Sequence, residues 1–138
     1  MTQENKQLLL VDLCARLPHR VMIKSVGENK IIGLWDLKDV DSLPLPYLRP
    51  MSSMTEDEAK EIAILHDIKD ILSVKVTSDY IDFIVDDGVC STERRTIWYD
   101  EIVMSIKCFD WLNSHHFDYR GLIPKGLALE APEGMYTK

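Results

Sequence analysis

Thr96 to Ile123 reads TIWYDEIVMSIKCFDWLNSHHFDYRGLI, an apolar segment through Trp98, Tyr99, Ile102, Val103, Met104, Ile106, Phe109, Trp111 and Leu112 that breaks into a polar, aromatic run, His115 to Gly121. On a helical wheel, positions 102 to 113 are apolar almost all the way round, interrupted only by Ser105, Lys107, Asp110 and Asn113. A helix apolar on most sides is an interior helix. The spacing therefore predicts a buried helix, capped by Asp100 and ending near Asn113 or Ser114, with Ile106 and Phe109 in the core. The other elements are expected to pack around it.

Working outward, 138 residues with 46% hydrophobic and 28% charged content suit one globular domain. A chain near this length buries about 70% of its unfolded surface, so no covalent staples are needed. Three cysteines, Cys14, Cys90 and Cys108, form no C-x-x-C pair and leave an odd one over, which favours a reducing compartment over a disulfide framework. Leu8 to Val11 is too short an apolar run for a secretory signal, and no stretch approaches a membrane span. The expected setting is cytoplasmic, with no membrane contact.

The formal net charge of −7 argues against a broad nucleic-acid footprint, which needs clustered Lys and Arg. Arg94, Arg95, Trp98 and Tyr99 are the nearest approach to the basic and aromatic interleaving of a single-strand binder. No glycine-rich phosphate loop and no G-x-S-x-G nucleophile elbow is present.

Along the chain, Thr2 can cap a first helix whose Leu10, Leu13, Cys14 and Leu17 fall at one-face spacing, and Pro18 ends it. Arg20 to Val26 and Ile31 to Leu37, joined through Gly27 to Lys30, read as a β-hairpin. Pro44, Pro46 and Pro50 impose extended geometry on an ordered crossing loop. Pro44 and Pro46 also resemble a proline-rich ligand segment. Thr55-Glu56-Asp57-Glu58 is a capping box that starts a helix with Ile64, Leu65, Ile68, Ile71 and Leu72 on one face, His66 lying beside it. Ser73 to Val76 and Tyr80 to Val85 suit a second hairpin, and Asp86-Asp87-Gly88 is a turn. Val89 to Thr92 and Thr96 to Tyr99 can continue the meander, with Glu93, Arg94 and Arg95 at a turn or an exposed edge. The sum is one α+β domain over 1–131, with about three helices and a mostly antiparallel sheet of four to six strands, followed by a tail over 132–138.

Trp111-Leu112-Asn113, His115 to Ile123, and Gly126-Leu127-Ala128, together with Arg49 to Thr55, resemble the signature segments of a family of small proteins from gut Bacteroidales, often encoded in prophages or mobile elements. The resemblance implies a bacterial or phage source and a cytoplasmic setting. It implies no activity, cofactor or catalytic residue.

His115, His116 and Asp118 are three metal-competent side chains within four residues, with Cys108 and Asp110 upstream. Adjacent histidines on a regular element diverge, whereas a metal site needs convergence, so no metal ligand set and no cofactor is assigned. His115, His116, Asp118, Tyr119 and Arg120 are instead the candidate interaction surface, with Asp118 and Arg120 expected on one partly exposed face and Gly121 supplying a sharp turn. No catalytic residue is assigned. The leading expectation is a non-enzymatic accessory protein acting through a protein partner. The alternatives are a metal-dependent hydrolase using the His115/His116/Asp118 run and a nucleic-acid binder through Arg94 and Arg95.

Overall fold

The computed structural model describes residues 2–25, 27–102 and 105–136, and among them the chain is α+β, with four α-helices and seven short strands. The chain falls into two compact units, Met1–Arg49 with Leu112–Lys138, and Pro50–Trp111. Among the described residues the strands make three small sheets, two of them antiparallel and one a parallel pair.

The discontinuous unit opens with α1 (Gln3–Arg16), whose Thr2 hydroxyl accepts from the Asn5 amide at 3.1 Å, as a threonine N-cap should. Its inward face is Leu9, Asp12, Leu13 and Arg16, one position round from the face expected from apolar spacing. Cys14 is accordingly exposed, correcting its reading as a core residue. The shift has a physical cause. Asp12 and Arg16 neutralise each other at i,i+4 and so can be buried where a purely apolar count would not place them. Pro18 falls in a 3₁₀ turn (Leu17–His19) that closes the helix.

β1 (Met22–Lys24) and β2 (Asn29–Ile31) form an antiparallel hairpin with Gly27 at φ 88° in its turn, but its second strand begins two residues before the expected Ile31 to Leu37 and ends at Ile31. After a 3₁₀ turn at Leu34–Leu37, the proline-bearing segment leads into β3 (Tyr47–Leu48). Its backbone is already committed. Lys24 N donates to Leu45 O at 3.0 Å and Leu129 N to Pro46 O at 2.9 Å, which leaves this stretch unlike a free proline-rich ligand. The core gathers Leu9, Leu13, Val21, Ile23, Ile32, Leu48, Leu122, Leu127 and Ala128.

The continuous unit holds α2 (Glu56–Leu65), whose capping box is reciprocal: Glu58 N donates to Thr55 Oγ1 at 3.2 Å and Thr55 N to Glu58 Oε1 at 3.0 Å. The buried face is Ala59, Ile62 and Ala63, and Ile64 points to solvent, against the expected face. The helix also stops at Leu65, because Asp67 and Asp70 adopt left-handed φ of 59° and turn the chain into β4 (Ile71–Val76). β4, β5 (Tyr80–Asp86) and β6 (Thr92–Trp98) form an antiparallel meander in that order. Glu93, Arg94 and Arg95 lie within β6, on a sheet edge.

The stretch expected as one buried helix holds two, α3 (Tyr99–Ile102) and α4 (Ile106–Ser114). Val103 and Met104 lie outside the described residues. Asp100 sits inside α3, and it is Ser105 that serves the start of α4, its carbonyl accepting from Phe109 N at 2.8 Å. Ile106 is 86% exposed and Phe109 half-buried, so α4 is not apolar inside on every side. Cys108, Leu112 and Asn113 are its buried positions. The final strand, β7 (Leu129–Glu130), pairs in parallel with β3, Tyr47 opposite Leu129.

Candidate functional site

The run His115 to Arg120 leaves the end of α4 and turns sharply, with His116 at φ 64° and its amide donating to Asn113 O at 3.2 Å. A left-handed residue here is the usual device for ending a helix, and histidine is among the few non-glycine residues enriched in it. The chain then runs beside Arg49: Arg49 N donates to His116 O and Asp118 N to Arg49 O, both at 2.8 Å. Phe117 is thereby buried, with the Arg49 guanidinium 4.1 Å from its ring centroid.

Asp118 is buried and both its oxygens are used. Oδ1 accepts from Leu122 N at 2.8 Å and Oδ2 from Ile123 N at 2.9 Å, tying down the turn in which Gly121 stands at φ 71°. The expected exposed face shared by Asp118 and Arg120 is therefore not formed. Arg120 reaches inward instead, its Nε donating to Asp12 Oδ1 at 3.1 Å.

Asp12 joins this to α1. Its Oδ2 accepts from Arg16 Nε at 2.7 Å, and Arg16 Nη2 donates to Phe117 O at 2.6 Å. Asp12 and Arg16 are both wholly inaccessible to solvent. The Tyr119 ring centroid is 5.0 Å from the Arg16 guanidinium and 5.1 Å from that of Arg120, and its hydroxyl donates to Asn113 Oδ1 at 2.7 Å. Removing one member of such a buried pair costs about 3–5 kcal/mol, because the survivor is left as an uncompensated charge. The run is thus a polar joint that pins helix, strand and C-terminal segment together.

His115 Nδ1 lies 3.0 Å from Ser114 Oγ. His116 is stacked on Tyr136, ring centroids 3.8 Å apart and planes 20° apart, and burial pushes its pKa down to about 4, the positive charge of Arg16 adding to the effect. Tyr136 belongs to the segment expected as a tail. Its hydroxyl accepts from Met22 N at 2.9 Å and donates to Tyr47 O at 2.6 Å, and burial pushes its own pKa up to about 12. His115, His116 and Asp118 point to different partners. Among the described residues no three His, Cys, Asp or Glu side chains come together as a metal would require.

Sequence reasoning missed two features. Arg16 carried a legible signal, an acid–base pair with Asp12 at i,i+4 on the same helix face as Leu9 and Leu13. The other feature is the 3₁₀ turn Leu34–Leu37, where Leu34 is 76% and Trp35 73% exposed, with Ile31 partly exposed three residues earlier. This turn is held from below. Gly33 N donates to Asp36 Oδ2 at 2.8 Å, and Lys30 Nζ lies 2.8 Å from Asp36 Oδ1, holding the Asp36 carboxyl below the usual carboxylate range. The Lys38 ammonium stands 3.9 Å from the Trp35 ring centroid. Five apolar residues in the seven from Ile31 to Leu37 were more than one side of a short element can bury, which was the available clue.

Comparison of the chain with protein-family models, with curated proteins and with solved structures gives no match.

Proposed function

We propose that this chain is a non-enzymatic accessory protein that works by binding a protein partner, and that the knuckle Leu34–Trp35 is its anchor. The observation that carries this reading is the exposure of two adjacent large apolar side chains on a turn already fixed by Asp36. Single exposed apolar residues are ordinary on a soluble surface, but tryptophan is enriched among the side chains that dominate binding energy. A turn locked beforehand loses little conformational freedom on association, so more of the contact energy appears as affinity. The Lys38 ammonium beside the Trp35 ring favours a partner whose receiving pocket is apolar with an acidic group at its rim. The resemblance to small proteins of Bacteroidales prophages and mobile elements directs the search for that partner to a bacterial or phage setting.

The test is site-specific photocrosslinking in the source organism. A photoreactive residue at position 34 is expected to yield one discrete adduct of higher mass, lost on Trp35→Ala, while the same residue at exposed Lys69 yields none. Equal adducts at both positions, or adducts of the chain with itself alone, would sink the reading.

A further inference from the structure

The β4–β5–β6 sheet has two unlike faces. Ile81, Phe83 and Val85 of β5 and Ile97 of β6 are buried on one. Strand alternation puts Tyr80, Asp82 and Ile84 on the other, and the register places Trp98, Thr96 and Arg94 of β6 directly opposite them. Lys75 of β4 stands opposite Asp82 on the far side. Arg94 and Lys75 are therefore cations on the same face as two aromatic rings, a placement that the linear run Arg94, Arg95, Trp98, Tyr99 conceals. Arg95 faces the other way and Tyr99 belongs to α3.

Tyr80 and Trp98 form a tilted cross-strand pair, centroids 4.9 Å and planes 58° apart, and Trp98 is 47% exposed. Asp82 is buried and accepts from both Arg94 Nη2 and Thr96 Oγ1. The Arg94 hydrogen bond holds the Asp82 carboxyl below the usual carboxylate range, so the charge that orients the guanidinium is present throughout the neutral range. The Arg94 side chain itself stays 63% exposed, with its other N–H groups available on the open side. Tyr80, Arg94, Thr96 and Trp98 line a cleft of about 370 Å³.

From this juxtaposition of an aromatic pair, an oriented guanidinium and a hydroxyl around an open cleft, we infer that the outer face of this sheet binds single-stranded nucleic acid, one base stacking at Trp98 and a phosphate meeting Arg94. Sheet faces that stack bases on aromatic side chains and hold the backbone with arginine are an established solution for unpaired strands. Trp98 to Arg94 spans about 13 Å of strand, so stacking and phosphate contact are divided along the strand instead of competing for one spot. A protein partner fits this face less well than the Leu34–Trp35 knuckle, since the cleft is lined by two aromatic rings, a guanidinium and a hydroxyl. The register puts two cations on this face, Arg94 and Lys75, so one or two phosphate contacts are expected. Binding is therefore carried by stacking and depends weakly on salt.

The experiment titrates the full chain against fluorescently labelled oligouridylate and oligothymidylate, with free uridine monophosphate and a DNA duplex as competitors. Saturable binding of the single strands is expected, weakening about 3- to 7-fold between roughly 50 and 200 mM salt, as one or two phosphate contacts dictate. Trp98→Ala should lower the affinity at least about 10-fold with an unchanged circular dichroism spectrum, the scale of losing one stacked base. Absence of binding at the lower salt, competition by the mononucleotide as effective as that by the oligomer, preference for duplex, or full binding by a folded Trp98→Ala would each overturn the inference. Should that variant fail to fold, chemical-shift mapping of the unmodified protein decides the matter. Perturbations centred on the Trp98 indole N–H, Tyr80 and Arg94 support the site, and perturbations centred elsewhere refute it.

Discussion

His116 shows how one residue can be read correctly as unusual and still be misjudged in role. Its neighbours in sequence suggested a surface, yet it is stacked under Tyr136 with Nδ1 buried and without a hydrogen-bond partner among the described residues. Burial opposes the charged imidazolium, and the nearby Arg16, His115, His19 and Arg49 oppose it further. The folded state therefore keeps His116 neutral down to about pH 4, whereas the unfolded chain takes up the proton near 6.5. Because the unfolded state binds more protons inside that window, stability is fully present above pH 6.5 and is lost as the pH falls towards 4. His66 shifts in the same direction through its own burial and adds to the slope. Asp36, Asp41, Asp82 and Asp87 have lowered pKa values, so the stability they contribute is lost as the pH falls through and below the ordinary aspartate range, beneath the window of His116. Urea unfolding at pH 8 and pH 5 should differ by about 2 kcal/mol from His116 alone. His116→Asn tolerates the left-handed backbone and should remove most of that difference; a variant with the same pH slope as the parent shows that His116 is not the titrating group.

At the scale of elements, what was legible depended on whether a signal was local and chemical or statistical. The Thr55–Glu58 box fixes its helix start through two hydrogen bonds between neighbours in sequence, and Asp86-Asp87-Gly88 fixes its turn in the same way, with Gly88 N donating to Asp86 Oδ1 at 2.9 Å. The ends and faces of helices depend on distant packing and were harder to read. Asp67 and Asp70 tolerate left-handed geometry without requiring it, and the apolar positions Ile62, Leu65, Ile68 and Leu72 continue helical spacing past Leu65 and so hide the passage from α2 to β4. The face of α1 was displaced by one residue because apolar counting ignores a self-neutralising pair, Asp12 and Arg16. Thiol chemistry reads that displacement directly. In the native protein Cys14 and Cys90 are exposed and Cys108 is buried, and burial pushes the Cys108 thiol up, away from its reactive thiolate. An aromatic disulfide reagent should titrate two thiols at the rate of a free cysteine and the third only under denaturant, with Cys14→Ser reducing the fast class to one. A native Cys14 that resists the reagent would restore the face through Leu10, Leu13, Cys14 and Leu17.

For the whole molecule, composition and patterning carried the α+β class and the two hairpins, each of which closes within a few residues. They did not carry the return of the C-terminal segment to the first unit, where Tyr47 pairs with Leu129 and Arg120 bonds Asp12 across most of the chain length. Periodicity is blind to such pairing, since neither partner's spacing depends on the other. The consequence is an asymmetry between the units. Pro50–Trp111 is continuous in sequence, and its buried set includes Ile62, Ala63, Ile81, Phe83, Val85, Ile97 and Tyr99, contributed by α2, the three-stranded sheet and α3. Met1–Arg49 lacks Phe117, Arg120 and Leu122, and without them Arg16 loses its carbonyl acceptor and Asp12 its second guanidinium. Expressed separately, 50–111 should therefore unfold cooperatively in urea, with a stability of no more than about 3–5 kcal/mol for so small a core. The fragment 1–49 should show no cooperative transition by itself. A structureless 50–111 fragment, or an independently folding 1–49, would show that the two units do not mark the folding boundaries of the chain.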